Sequence, residues 1–269
     1  MEPFVCVTCG VQHAASEEPP AACAVCEDAR QYVPEEGQRW TTVAELAAGH
    51  RNEVRADGEL TGIGTTPSFA IGQRALVVPS ADGNVLWDCI TLLDDATAGA
   101  VEAMGGLAAI AISHPHYYSA MVDWAHRFEC PVLLHEADAA WIMRPDPALE
   151  LWSGETRDLG GLRLVRCGGH FAGGTVLWWP EGAGGAGALL SGDIVQVIPD
   201  RRHVGFMYSY PNLIPLPAAS VAAIADALKP FPFESIYGAW WGRIVREDAK
   251  GAVLRSAERY ARALEAPLT

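Results

Sequence analysis

The sequence predicts an α/β (α+β) fold in which two sheets pack face to face with helices outside, preceded by a small zinc-binding segment. Three observations carry this reading. The chain has 269 residues, half of them hydrophobic and 19% charged, which supplies a sizeable core for one large domain or two modest ones. Its body divides into two halves of similar size, each running from short strands into helices, the pattern of an αββα sandwich. Four of its seven cysteines fall in the first 26 residues as two CxxC hooks.

The hooks, Cys6-Val7-Thr8-Cys9 and Cys23-Ala24-Val25-Cys26, are separated by 13 residues. Two thiolates three apart in a tight turn grip one ion, and a second hook completes a closed tetrahedral site, so these four cysteines are assigned to a structural Zn²⁺. Iron in a rubredoxin-like arrangement is the variant. The intervening stretch contains Glu17-Glu18-Pro19-Pro20 and has little apolar content, so the metal supplies its folding free energy. Residues 1–36 form this ribbon or knuckle, and 37–269 the main domain. Seven acidic groups and one basic group, Arg30, in residues 1–36 argue against nucleic acid. The ribbon is therefore expected to act as a lid or a protein-docking element, and His13 as an exposed loop residue.

Along the body, Trp40–Leu46 reads as a short helix capped by Thr41 or Thr42. Strands are expected at Leu60–Thr65, Ser68–Gly72, Ala75–Pro79 and Asn84–Asp88, as a meander. Next come helix Ala96–Met104, strand Leu107–Ser113, helix Ala120–Phe128, strand Pro131–His135 and helix Glu136–Met143, a βαβ rhythm implying parallel strands. The second half holds strands Leu162–Cys167, Thr175–Trp179 and Ala188–Gly192. After an irregular stretch come helix Ala218–Leu228, strand Ser235–Tyr237 and helix Val245–Glu265. Cys89, Cys130 and Cys167 read as buried small hydrophobes.

Four residues at strand ends carry the chemistry. His114 and His116 follow a buried strand, placed to converge on one ion. His170 is presented by the glycine-rich turn Gly168–Gly174, and Asp193 ends the run Ala188–Gly192. Three histidines and a carboxylate make a metal site open to water or substrate.

These stretches resemble the metallo-β-lactamase superfamily over roughly residues 60–240. Val85-Leu86-Trp87-Asp88 resembles its early strand ending in Asp, and Ser113-His114-Pro115-His116 its paired-histidine motif. Gly168-Gly169-His170 and Ser191-Gly192-Asp193 resemble the third-histidine and bridging-aspartate motifs. The resemblance also marks departures. The Asp-His pair that continues the motif in dinuclear members falls on Tyr118 and Ser119, and the final histidine on Ala239 or Trp240. All three protein ligands specific to a second metal are missing, which implies a mononuclear site holding one Zn or Fe.

The expected function is hydrolysis of a small neutral acyl compound (ester, thioester or lactone), with Tyr117, Tyr118 or His203 handling protons. Tyr117, Tyr118, Trp240 and the aromatic stretch 201–213 are expected to wall an apolar pocket. The alternatives are a mononuclear iron oxidoreductase and a catalytically degenerate metal-binding protein. The 19 basic against 33 acidic residues exclude nucleic-acid and anionic-membrane surfaces. With no membrane-length apolar run and no signal-peptide pattern, the expected address is the cytoplasm, with a homo-oligomer or a protein partner engaged through the ribbon.

Overall fold

The first half of the body folds as a seven-stranded sheet with its strands in chain order. They are β1 (Arg51–Asp57), β2 (Leu60–Thr66), β3 (Ala75–Ser80), β4 (Gly83–Trp87), β5 (Ala109–Ala111), β6 (Val132–His135) and β7 (Leu149–Trp152). β1 to β4 form an antiparallel meander, and β4 to β7 pair in parallel. The second sheet is six-stranded, in the order β8 (Thr156–Leu159), β9 (Leu162–Arg166), β10 (Thr175–Trp179), β11 (Ala188–Gly192), β12 (Ser235–Gly238) and β13 (Ile244–Val245). Five helices complete the body: α1 (Val43–Gly49), α2 (Asp95–Ala103), α3 (Met121–Phe128), α4 (Ala218–Leu228) and α5 (Ala249–Glu265). This computed structural model describes residues 1–265; residues 266–269 of the expected main domain lie outside the described residues.

Three apolar clusters give the layers. Between the sheets, Leu76, Val78, Val85, Trp87 and Ala111 meet Leu164, Leu177, Leu190 and Tyr237. On the outer face of the first sheet, Ile63, Leu86 and Ile110 pack with Val101 of α2 and Val122 and Trp124 of α3. On the outer face of the second, Val165, Val176 and Ile236 pack with Ile224 of α4 and Val253 of α5. This is the helix–sheet–sheet–helix sandwich the sequence predicts.

The N-terminal segment is built into the body. Val5–Cys6 pairs with Trp40–Thr41, and Cys6, Cys9, Val11, Cys23, Val25 and Cys26 share the apolar cluster of α3 and the first sheet. His13 is buried edge-on to Trp40, with ring centroids 4.8 Å apart, and not exposed as expected.

Local chemistry explains most element boundaries. Thr42 caps α1 with a reciprocal capping box: Glu45 N–H donates to Thr42 Oγ1 (3.2 Å), and Thr42 N–H to Glu45 Oε2 (3.1 Å). Ser68–Gly72 is a turn closed by Gly72 N–H on Phe69 O (2.9 Å), not a strand. Strand β1, with charged Arg51, Glu53 and Arg55, is an edge strand that no apolar alternation announces. Glu136–Trp141 is a 3₁₀ helix. Val245 belongs to β13, so the last helix starts later than expected, at Ala249. Among the described residues no helix is long and apolar enough to cross a membrane.

Candidate metal centre

Strand β5 runs buried into His114, which starts a 3₁₀ turn over Pro115–Tyr117, so His114, His116 and Tyr117 leave the sheet edge within one turn. His170 comes from the loop between β9 and β10. There Gly169 has φ +81, and a Cβ on it would lie 2.7 Å from Ile224 Cδ1, so only glycine brings this loop down onto α4. Asp193 directly follows β11. Three segments thus deliver the four donors to one point at the edge between the sheets.

The donor atoms of His114, His116, His170 and Asp193 all lie within 4.8 Å of one another. His170 Nε2 is 3.2 Å from His116 Nδ1, and His114 Nε2 is 3.9 Å from Asp193 Oδ2. A tetrahedral ion with ligand bonds of about 2.0–2.1 Å spaces its donors roughly 3.3 Å apart, so the cluster fits one ion. The second ring nitrogens of His170 and His114 are fixed from behind. His170 Nδ1–H donates to Met207 O at 3.2 Å, and His114 Nδ1 lies 2.8 Å from the Ser113 hydroxyl. Ser113 N–H in turn donates to Asp88 Oδ1 at 2.8 Å.

Burial sets the protonation states. It holds His114 and His116 well below the usual imidazole range, with the neighbouring His170 adding to the effect. His170 falls to about 4 for the same reason. The three imidazoles are therefore neutral and ready to ligate. Burial pushes the Asp193 and Asp88 carboxyls up to about 7. His114 Nε2 and Asp193 Oδ1 are buried with no hydrogen-bond partner, as expected of atoms reserved for a cation.

Residues 28–32 of the N-terminal segment lie across this centre as a strap. Arg30 donates to the His170 carbonyl (3.2 Å), and its guanidinium sits 3.8 Å from the Phe171 ring centroid. The far side holds the strap in place. Ser209 Oγ donates to Arg30 O (3.0 Å), and Asn212 Nδ2 donates to Ala29 O (3.1 Å) and Gln31 O (2.8 Å). The four ligands beside it are only 1–5% exposed.

The four cysteines gather into a second, buried group. Cys6 and Cys26 sulfurs are 3.4 Å apart, and those of Cys9 and Cys23 3.7 Å. Zinc–sulfur bonds of about 2.3 Å place tetrahedral sulfurs roughly 3.8 Å apart, so this group fits one ion as well. Gln38 Nε2 and Cys9 N–H both donate to Cys6 Sγ, at 3.0 and 3.5 Å. Hydrogen bonds from Cys26 and Cys6 hold the Cys23 thiol well below its ordinary pKa, whereas burial holds Cys9 up.

Of the expected proton-handling residues, the structure brings only Tyr117 to the centre. Its ring is 4.4 Å from that of His114, and its hydroxyl is buried beside Asp193 without a hydrogen-bond partner. Tyr118 is buried away from the cluster, where it lines a small cavity with Val11, Gln12 and Met143. His203 is held 3.2 Å from Asp200 and faces Ser256 and Tyr260 of α5. Neither joins the cluster. The aromatic stretch is also placed differently: Tyr210 donates to the Asp193 carbonyl (2.9 Å), and Tyr208 lies beside Arg30. Trp240 instead lines a cavity of about 500 Å³ with Gln196, Ile198, Pro199, Trp241 and Arg243. Sequence reasoning missed Arg30 as part of the site, although it is the one basic residue in an acidic segment.

No protein-family model matches the chain. The uncharacterized protein YmaE of Bacillus subtilis (strain 168) is 48% identical over 269 residues, covering 98% of both chains. Among solved structures, the DIM-1 metallo-β-lactamase superimposes with a TM-score of 0.59 at 14% identity, over 80% of this chain and 98% of that one. A metallo-β-lactamase of Cronobacter sakazakii gives 0.51 at 15% identity, over 79% of this chain and 92% of that one. The chain belongs to the family of Bacillus subtilis YmaE, and its body has the metallo-β-lactamase fold.

Proposed function

We propose that the protein is a metal-dependent hydrolase of a small neutral acyl compound, an ester, thioester or lactone, working with one ion in the His/Asp centre. The observation that carries this reading is the convergence of three neutral imidazoles and Asp193 on one point, with the unpaired Tyr117 hydroxyl beside them. His114, His116, His170 and Asp193 would hold the ion. Bound there, it would polarise a carbonyl and bring the pKa of a water to roughly 7.

The protein's own groups do the rest. Asp193, whose carboxyl is raised to about 7 by burial, would give up its proton to serve as a ligand. Asp88, through Ser113, fixes the orientation of His114. Tyr117 donates a hydrogen bond to the oxyanion that develops at the substrate carbonyl. Trp240, Trp241, Ile198 and Pro199 receive the apolar body of the substrate in the cavity beside the chain that follows Asp193. The strap keeps bulk water from the ligands. With aromatic and small groups at Tyr118, Ser119 and Ala239, this side of the cleft has no ligand set to clamp a phosphodiester.

The test is a panel of neutral esters, thioesters and lactones beside phosphodiesters, assayed with the metal-loaded wild type and Tyr117→Phe. Metal-dependent turnover of a neutral acyl substrate that falls in Tyr117→Phe is expected. Faster phosphodiester turnover, or no metal-dependent acyl hydrolysis, refutes the proposal.

A further inference from the structure

Arg74 is 1% exposed, and one face of its guanidinium is unpaired. Nε donates to Asp57 Oδ2 at 2.6 Å, while Nη2 is buried with no partner. Asp57 is committed on its other oxygen, which accepts from Gly242 N–H at 3.0 Å. Burial lowers the pKa of the Arg74 guanidinium, and the charges of Asp57, Asp88 and Tyr117 oppose that shift, the last two at the metal centre. A buried guanidinium with a free donor is costly unless something in the site uses it.

Its neighbours place it more closely. Arg74 N–H donates to the Ala239 carbonyl at 2.9 Å. The preceding side chain, Gln73, donates from Nε2 to Ser119 Oγ at 3.1 Å and to Cys89 O at 2.9 Å. Ser119 and Ala239 are two of the positions where ligands for a second ion are missing. The pair Gln73–Arg74 is thus stitched to both, and Trp241 seals it from outside: Cβ atoms on Gly62 and Gly64 would collide with that ring.

We propose that Arg74 is a built-in cation standing on the second-ion side of the cleft, where it limits the His/Asp centre to one metal ion. This rests on the one-ion reading above. A permanent guanidinium supplies positive charge without ligands and repels a second divalent ion from the same space. It also offers Nη2 as a donor to a substrate oxygen or cleft water.

The test counts zinc by elemental analysis in purified full-length protein loaded with Zn²⁺, with the four-cysteine ion as internal standard. Wild type and Arg74→Lys are expected to hold one ion beyond that standard. Arg74→Met, which leaves Asp57 and Asp88 without a cation, is expected to gain one further equivalent. The double variant Arg74→Met, Asp57→Asn is expected to lose that gain. A folded Arg74→Met protein that stays at one ion overturns the inference alone, whereas wild type with two ions overturns the one-ion reading with it. Should Arg74→Met fail to fold, the structure of the zinc-loaded wild type decides. A guanidinium that fills the space beside Ser119 and Ala239 supports the inference, and one that leaves that space open overturns it.

Discussion

Arg30→Ala removes the guanidinium that ties residues 28–32 to the wall above His170. The pair with Asp28 lies within the strap and moves with it, so it adds nothing to docking. Two contacts are lost when the strap opens. One is the charge-assisted hydrogen bond to His170 O, which at 3.2 Å belongs near the weak end of its class, about 1.5 kcal/mol. The other is the guanidinium 3.8 Å from the Phe171 ring, the ring buried and the arginine 13% exposed, contributing about 1.5 kcal/mol. Together they amount to about 3 kcal/mol, a roughly 100-fold rise in the open population at 1.36 kcal/mol per decade. The bonds from Ser209 and Asn212 remain, so the strap stays docked on average. Hydrogen exchange at the Gln31 amide and chelator extraction of Zn²⁺ from the His/Asp centre read that opening. Both should accelerate about 100-fold with little change in the melting midpoint. Wild-type exchange and extraction rates in the variant would refute the strap as the cover of this centre.

Uptake of Zn²⁺ by the His/Asp centre should weaken about tenfold per pH unit between pH 7 and 5. The sign follows from Asp193: its carboxyl is raised to about 7, so below that pH the ion must displace a proton, while the imidazoles are still neutral because burial lowers them. Isothermal titration in two buffers of different ionisation enthalpy checks this through the protons released, and pH-independent uptake contradicts it. Tyr117→Phe should cut turnover of an acyl substrate about 10²-fold at unchanged metal content, as removal of an oxyanion donor does, whereas Tyr118→Phe should leave turnover near wild type. Equal losses in the two variants would contradict the placement of Tyr117. Cys9→Ser, Cys26→Ser should lose one zinc equivalent and, because the segment packs on α3, also lose exchange protection at residues 28–32. Full metal content in that variant contradicts a four-thiolate site.

The parts of this molecule legible in its sequence are those encoded by neighbours in the chain. His114 and His116 stand two apart after an apolar run, His170 stands among glycines, and Asp193 closes a strand, so each announces itself locally. The layered fold was legible for the same reason, since short strand-forming runs punctuated by Gly, Pro and Asp-Gly, and the periodic faces of α4 and α5, are short-range patterns. What escaped depends on partners far apart. Arg30 meets His170 across 140 residues, and Arg74, just before β3, meets Asp57 at the end of β1 with β2 lying between those strands in the sheet. Strand β1 escaped because its exposed charges hide the alternation that burial imposes elsewhere. Tyr117 and Tyr118 are adjacent and chemically alike; only the turn geometry sends one to Asp193 and the other to Val11.

Elemental analysis of the native protein, beside the His114→Ala, His116→Ala variant, tests the central claim most directly. The claim is two metal sites of one ion each: a closed thiolate site in the strap-bearing segment and a His/Asp site in the body. Two ions per chain in the native protein and one in the variant, still held by the cysteines, is the predicted result, and the element released names the metal of the His/Asp centre. Three ions in the native protein, or no loss in the variant, would contradict the account.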